Sequence, residues 1–550
     1  LRAKTSTRQL LYGVLFVMFA FILFNTGTRG AALGLIGGSA LGFSYLALMA
    51  PKGAAIKKWG LGGLLAVVLI AGGLWAARDT ALVENSQVLS RFAGVTLAEG
   101  GIRFTVWQMA LEGVKERPIL GWGQENFNYV FNKYYDPALY GAEAWYDRTH
   151  NIFLDWLIAG GVIGLLAYLS ILVAALWYAV LLPLRARFRE GISKVKDAFS
   201  VPEQALIFGL LAAYTFHNLF VFDNLASWIF YAVVLALIHS RVSREIVAVE
   251  KFAIEKGTWE RVAIPTVLIV AGFGIYFTNI PSIQAAQDII ASYRATSVEE
   301  RLEIFERAYE RSALAKQEVA EQLSQTSARM FGMREVTDEE RGKIVATVER
   351  ILFDLIDRKP GDARLHVLLG SFYRATNNLD KALAQYEIAL ELSPRKQAII
   401  EEMGLIYMLS DRHDEAEAEF RRAYLLDERN LAVKVRLAAA LLYAGNKEGF
   451  AELVSEDRLE EDRVLYNAFI NNQTMLQIAN NLKRYDILEY IFTGLIEQYP
   501  DDSNPRVNLA ATYFEQGNTE AAKAVIEKAI VDIPAFKEEG ERLLAGIEEN

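Results

Sequence analysis

At 550 residues the chain is long enough for several domains, and its net charge of -10, with 57 Lys and Arg against 67 Asp and Glu, excludes the basic surface that nucleic-acid proteins need. It has no cysteine, which excludes disulfides and thiolate zinc sites and fits either a reducing or an oxidising compartment. The first half is apolar and the second charged, so two kinds of domain are expected.

The opening LRAKTSTRQLL has no initiator Met and no charged-then-apolar segment ending in a small-residue cleavage site. It reads as a fragment without a signal peptide, with membrane spans expected upstream. Apolar runs of roughly bilayer length, about 20 residues each, then fall near 10–24, 31–50, 60–77, 150–182, 203–222, 225–240 and 262–280. The first and sixth of these seven candidate spans are short, and the fourth is long enough to tilt or to start outside the hydrocarbon.

Lys and Arg mark alternate connections: Arg2, Lys4 and Arg8; Lys52, Lys57 and Lys58; Arg185, Arg187, Arg189, Lys194 and Lys196; Arg241, Arg244, Lys251, Lys256 and Arg261. The opposite connections hold only Arg29 at 25–30 and no basic residue at 221–226, so the positive-inside rule assigns the basic set to the cytoplasm. The 78–149 loop and everything after 280 are then expected outside. That loop is long and aromatic-rich (GWGQENFNYVFNKYYDPALYGAEAWYDR), suiting either a functional cap on the bundle or a belt of interfacial rings.

From about 285 the texture is that of soluble helices, and a repeat can be counted. Gly370, Tyr373, Ala382, Tyr386, Ala389 and Pro394 recur 34 residues later as Gly404, Tyr407, Ala416, Phe420, Ala423 and, in place of the proline, Glu428. This register resembles tetratricopeptide repeats, which use small residues where helices touch and aromatic residues as wedges. A unit near 431–462 is degenerate, one near 469–500 is weak, and NPRVNLAATYFEQGNTEAAKAVIEKAI reads clearly again, giving roughly five helical hairpins. The expected fold class is all-α, a polytopic helical membrane bundle followed by an α-solenoid. The expected domains are residues 1–282 with the outer loop 78–149, a helical connector at 283–360, and repeats at 361–550.

Three polar features face outward in this topology: Arg29 in NTGTRGAALG, Arg103 in GGIRFTVWQMALEGVKERPILGWGQENF, and His150 in RTHNIFLDWLIAGGVIG. Each has a plain structural reading. Arg29 can snorkel at a helix end, Arg103 can pair with Glu99 across Gly100 and Gly101, and His150 can be a wet interfacial ring. Asn151 and Asp155, four residues apart on one helical face, can orient the neighbours of His150 or bind sugar hydroxyls. Gly160, Gly161 and Gly164 read as close helix packing. A second polar cluster, TFHNLFVFDNL, carries His217, Asn218, Asp223 and Asn224, with His217 a rival base and Asp223 a possible substrate ligand.

Together these residues resemble the O-antigen ligase family. His150, Asn151, Gly161 and Gly164 fit its pattern of His, then Asn, Ser or Gln, nine residues, Gly, two residues, Gly. Arg29 after a short span, and Arg103 followed by Trp107 and PILGWGQENF, look like that family's outward-facing arginines, and the resemblance covers about 9–240. It implies a bacterial inner-membrane enzyme that moves a glycan from an undecaprenyl-diphosphate carrier to a glycan, lipid or protein acceptor on the outer side. The polysaccharide polymerases and protein O-glycosyltransferases of the superfamily share this chemistry and differ in acceptor.

Elementary chemistry agrees. A sugar leaving a diphosphate builds negative charge on the departing oxygens, which a cation must meet. With five His, no Cys and neither a His-x-x-x-His pair nor a paired-Asp motif on the outer side, no metal site and no cofactor is expected. Guanidinium is permanently charged and forks onto phosphate oxygens, so Arg29 and Arg103 are the expected diphosphate clamp. The acceptor hydroxyl must lose a proton, and an imidazole at a helix N-terminus beside arginines is disfavoured as a cation, so His150 is the expected base. The contrasting class is a non-catalytic protein, either a lipid-linked-glycan transporter or a membrane-tethered scaffold whose work is done by repeats gripping a protein partner.

Overall fold

The computed structural model describes residues 6–26, 28–86, 88–90, 101–188, 198–242 and 256–548. The proposed Arg103 partner Glu99 and the topology markers Arg2, Lys4, Arg189, Lys194, Lys196, Arg244 and Lys251 lie outside them. The described residues are helical, with no strand among them, and form two compact units: 1–134 with 144–276, and 135–143 with 277–550.

In the first unit all the apolar runs are helices: α1 (Ser6–Thr26), α2 (Arg29–Met49), α3 (Ala55–Ala76), then, after the loop helices α4 (Gly101–Glu116) and α5 (Phe127–Lys133), α6 (Ile152–Leu176), α7 (Val201–His217), α8 (Leu225–Val242) and the start of α9 (Ile264–Ser292). α6 runs on through a π-helical turn at Trp177–Leu181. Five of them, those at Arg29–Met49, Ala55–Ala76, Ile152–Arg185, Leu225–Val242 and Trp259–Ser292, are long and apolar enough to cross a membrane. α7 and the apolar part of α1, Leu10–Thr26, are 17 residues each, at the short end of the spanning range. Their outer faces carry bare apolar side chains, Trp59 and Leu65 on α3 and Phe273 on α9 among them, which only an apolar solvent tolerates at this density. The chain is a multi-pass membrane protein.

Two devices shape this unit. On α2, Gly30, Gly34, Gly38 and Gly42 recur every fourth residue and face Ala205, Gly209, Ala213 and His217, which recur at the same interval on α7. A Cβ at Gly38 would lie 2.3 Å from the Gly209 carbonyl oxygen, and one at Gly34 2.8 Å from that of Ala213. Without a hydrophobic drive between helices in lipid, such backbone approach supplies the packing. The second device is a break in α6 at Gly161, whose φ of 61° and ψ of -161° no other residue adopts comfortably.

The broken turn is closed by a loop some 40 residues upstream in the chain. The Trp122 and Gly123 N–H groups donate to the Ile158 and Ala159 carbonyls at 2.7 and 3.0 Å, and the Val162 N–H donates to the Pro118 carbonyl at 2.8 Å. Backbone groups released at membrane depth must find protein partners, and here the PILGWG loop supplies them. Gly121, at φ +69°, would carry a Cβ 2.4 Å from the Ile158 carbonyl, and Gly161 one 2.2 Å from that of Ile119. Gly161 therefore admits a loop rather than a neighbouring helix, and the stretch before it, Ile152–Gly160, is a separate half-helix.

The second unit takes in the rest of α9, then helices at Val298–Arg311, Lys316–Phe331 and Asp338–Arg358, and continues as antiparallel pairs: Ala363–Ala375 with Leu379–Leu392, Gln397–Leu409 with His413–Leu426, Leu431–Tyr443 with the short Lys447–Val454, Gln473–Asn481 with Tyr485–Gln498, and Asn504–Glu515 with Thr519–Asp532. Tyr386 and Phe420 are fully buried wedges, and the glycines facing them leave room: a Cβ at Gly370 would meet Tyr386 at 3.1 Å and one at Gly404 would meet Phe420 at 2.9 Å. Residues 135–143, though part of the 78–149 loop, pack in this unit. Tyr135 and Leu139 are buried, the Lys396 ammonium lies 4.6 Å from the Tyr135 ring centroid, and the Tyr140 hydroxyl donates to the Arg429 carbonyl at 3.1 Å. Burial pushes the Lys396 amine down to about 7.

Candidate active site

His150 has a left-handed backbone, φ 55°, rare for a residue with a side chain and held only where surroundings over-determine it. Here they do. Asp155 Oδ1 accepts from the Thr149 N–H at 2.8 Å and from its hydroxyl at 2.7 Å, and the Thr149 hydroxyl also lies 2.9 Å from the Asn151 carbonyl. Asn151 is the N-cap of the half-helix, its Oδ1 accepting from the Phe153 and Leu154 N–H groups. The next free donor, the Ile152 N–H, gives to the Asn218 carbonyl at 3.0 Å.

Asn151 and Asp155 are both buried and form a collar around the backbone of His150. Asp155 Oδ2 alone of these oxygens has no hydrogen-bond partner. The imidazole is set edge-on to Tyr146 and to Phe222, with centroids 5.6 and 5.5 Å apart.

Arg103 is exposed on the first turn of α4. One turn later Trp107 donates its indole N–H to the Thr149 carbonyl at 3.0 Å, tying α4 to the residue preceding His150, while its ring contacts Phe220 at 6.1 Å. At the other end of α4, Trp122 donates its indole N–H to the Gly113 carbonyl at 2.8 Å. The Arg103 helix and the His150 half-helix are thus braced at both ends.

Arg29 opens α2, and the Gly30 beside it packs on His217, leaving 3.4 Å between a would-be Cβ and the buried His217 Nδ1. Asp223 gathers the turn that follows: Tyr214 donates to it at 2.7 Å, Ser227 at 2.8 Å and Asn218 at 3.2 Å. Asp223 is therefore committed to protein donors, and through Asn218 its network reaches the start of α6. The helix that Arg29 opens meets His217 through Gly30, and the helix of Arg103 is tied to Thr149 through Trp107.

Sequence reasoning passed over three residues. Arg148 lies within cation–π distance of Phe222, its guanidinium carbon 5.4 Å from the ring that also meets His150, and pairs with Glu125. Thr149 is the hinge of the collar, and Gly121 the counterpart of Gly161. Gly121, Gly123 and Glu125 all have positive φ within GWGQE, a conformation that composition does not make visible. Among the described residues no group of three or more His, Cys, Asp and Glu is arranged to hold a metal.

The fold and this geometry define a class: a multi-pass helical membrane protein with a capped, broken helix and a tetratricopeptide solenoid. Residues 14–169, which include Arg29, Arg103 and His150, match the O-antigen ligase family model, and 363–396, 400–430 and 505–530 match the tetratricopeptide repeat. The chain is a membrane protein with an O-antigen ligase domain followed by tetratricopeptide repeats. Protein O-mannosyl-transferase F38B6.6 of Caenorhabditis elegans is 27% identical over 85 residues, 16% of this chain, which spans only 12% of that protein's length. Among solved structures, a tetratricopeptide repeat protein from Parabacteroides merdae is 17% identical with a TM-score of 0.30, covering 48% of this chain and 99% of its own. The thermophilic repeat protein TTC0263 of Thermus thermophilus is 18% identical with a TM-score of 0.25, covering 43% and 99%.

Proposed function

We propose that this protein is a glycosyltransferase of a bacterial inner membrane, moving a glycan from an undecaprenyl-diphosphate carrier to an acceptor hydroxyl at the outer face. The acceptor oxygen bonds to the sugar's anomeric carbon as the bond from that carbon to the diphosphate breaks. His150 takes the hydroxyl proton, and the diphosphate leaves with its electron pair onto Arg29 and Arg103. Asn151 and Asp155 are positioning residues here, and His217 packs behind Arg29. No metal or other cofactor takes part, so transfer is expected to persist under chelation.

The observation that carries this reading is the strained, fully collared His150, joined through Thr149 to the helix of Arg103. The packing of 135–143 among the repeats supports an outer location for them, since that segment lies in the loop read as outer. From there the repeats are free to hold a protein partner or protein acceptor.

The test is glycan transfer by purified full-length chain with a lipid-diphosphate-linked donor. His150→Ala is expected to lower turnover at least about a hundredfold, in line with loss of general-base assistance, with the fold intact by circular dichroism. Wild-type turnover from His150→Ala, with loss in His217→Ala, would transfer the base assignment to His217. Loss of transfer in EDTA, restored only by a divalent cation, would overturn the guanidinium clamp.

A further inference from the structure

Arg148 shares an aromatic neighbour with the imidazole. Its guanidinium carbon and the His150 ring lie 5.4 and 5.5 Å from the centroid of one ring, Phe222. Its backbone is fixed by the next residue, because the Thr149 N–H, hydroxyl and carbonyl are all hydrogen-bonded. The side chain is neither buried nor free: it is 26% exposed and paired with Glu125, whose own side chain is 61% exposed.

An ion pair whose carboxylate is this exposed contributes little to stability, so a more highly charged anion can replace that carboxylate without a large penalty. A diphosphate is such an anion, and it offers a guanidinium two or more oxygens in place of one carboxylate. Glu125 itself sits in a left-handed backbone, φ 61°, between the α6-locking PILGWG loop and α5, so the latch is held on a constrained turn.

We propose that Arg148 is a third diphosphate-binding residue, and that Glu125 occupies its guanidinium as a resting latch which the incoming lipid diphosphate displaces. The inference rests on the glycosyltransferase reading above and adds to it a residue beyond Arg29 and Arg103. It also gives the site a specific asymmetry: the arginine and its acidic partner act in opposite directions on donor binding.

That opposition is the experiment. Binding of undecaprenyl diphosphate to the full chain in detergent is measured for wild type, Arg148→Ala, Arg148→Lys and Glu125→Gln, alongside donor KM and kcat. Arg148→Ala is expected to weaken binding about tenfold and Arg148→Lys less, as a point charge replaces a fork. Glu125→Gln is expected to tighten binding a few-fold and lower donor KM. A pair serving structure alone would weaken binding, or leave it unchanged, in both the Ala and the Gln variants, and either pattern overturns the proposal. If wild type binds the lipid diphosphate and His150→Ala is inactive while both Arg148 variants bind normally, the latch fails and the glycosyltransferase reading stands. If wild type does not bind it, both fall.

Discussion

The two units use glycine in opposite ways. In the membrane unit a missing Cβ lets backbone meet backbone: Gly38 against the Gly209 carbonyl, Gly121 against that of Ile158, Gly161 against that of Ile119. In the repeats it lets a ring into a groove: Gly370 under Tyr386 and Gly404 under Phe420. The difference follows from solvent. In water, burying an aromatic side chain is itself the driving force, so the small residue serves the ring. In lipid that gain vanishes, and what remains is close packing and the demand that every backbone donor and acceptor be met inside the protein.

The sharpest way to break the comparison is Gly161→Ala. The new methyl would stand 2.2 Å from a carbonyl oxygen that cannot swing away, at a φ and ψ that alanine does not reach comfortably. More than about 3 kcal/mol of destabilisation is expected from overpacking and backbone strain combined. A displacement of about 1 Å in the half-helix carrying His150 would lower transfer by roughly a hundredfold. Thermal melting in detergent and turnover together check this. A melting point and activity like wild type would mean that the loop and the helix break are not interlocked.

The matching substitution in the repeats is Gly404→Ala, and it should be far milder. Its nearest neighbour is the edge of a side chain, Phe420, and overpacking of about 1–3 kcal/mol is partly offset by the roughly 1 kcal/mol that alanine gains over glycine in a helix. A net loss of about 1 kcal/mol is expected in denaturant unfolding, and Gly370→Ala, with its looser 3.1 Å contact, should come out near zero. Equal damage from Gly404→Ala and Gly161→Ala would erase the distinction between the units.

How far the sequence discloses each unit follows the same line. The repeat register was legible because Gly370, Tyr386, Gly404 and Phe420 mark it in residue type, and type is what ring-in-groove packing requires. All seven apolar runs were legible by length, and the likeness to the ligase domain by the spacing of His150 from Gly161 and Gly164. The break at Gly161 was not, because a Gly-Gly pair in an apolar run also describes simple helix contact. Its partners, Pro118 and Trp122, lie some 40 residues away, and backbone hydrogen bonds leave no trace in side-chain identity. Asn151 was read as orienting the neighbours of His150 or binding sugar hydroxyls, and its place before an apolar helix is also that of an N-cap, a sign its neighbour His150 overshadowed. Arg148 was hidden by ordinariness, one charged residue in a charged loop.

The smallest expected effect concerns the loop segment that packs with the repeats. Lys396 is 2% exposed, and burial lowers its amine from the ordinary 10.5 to about 7, while in the unfolded chain it keeps its ordinary value. Between those values the unfolded chain holds the proton that the folded one has lost, so the repeat unit should gain stability as pH rises from about 7 toward 10. Tyr135, pushed up to about 12 by its own burial, stays protonated across that window, and carboxylates are already ionised. Melting of the full chain between pH 7 and 9 should therefore show a rising midpoint for the repeat transition in wild type and a flatter one in Lys396→Met. Parallel profiles would mean that Lys396 keeps its charge in the folded state. The Tyr135 ring face beside it would then outweigh desolvation, and 135–143 would be held by a cation rather than by an apolar seat.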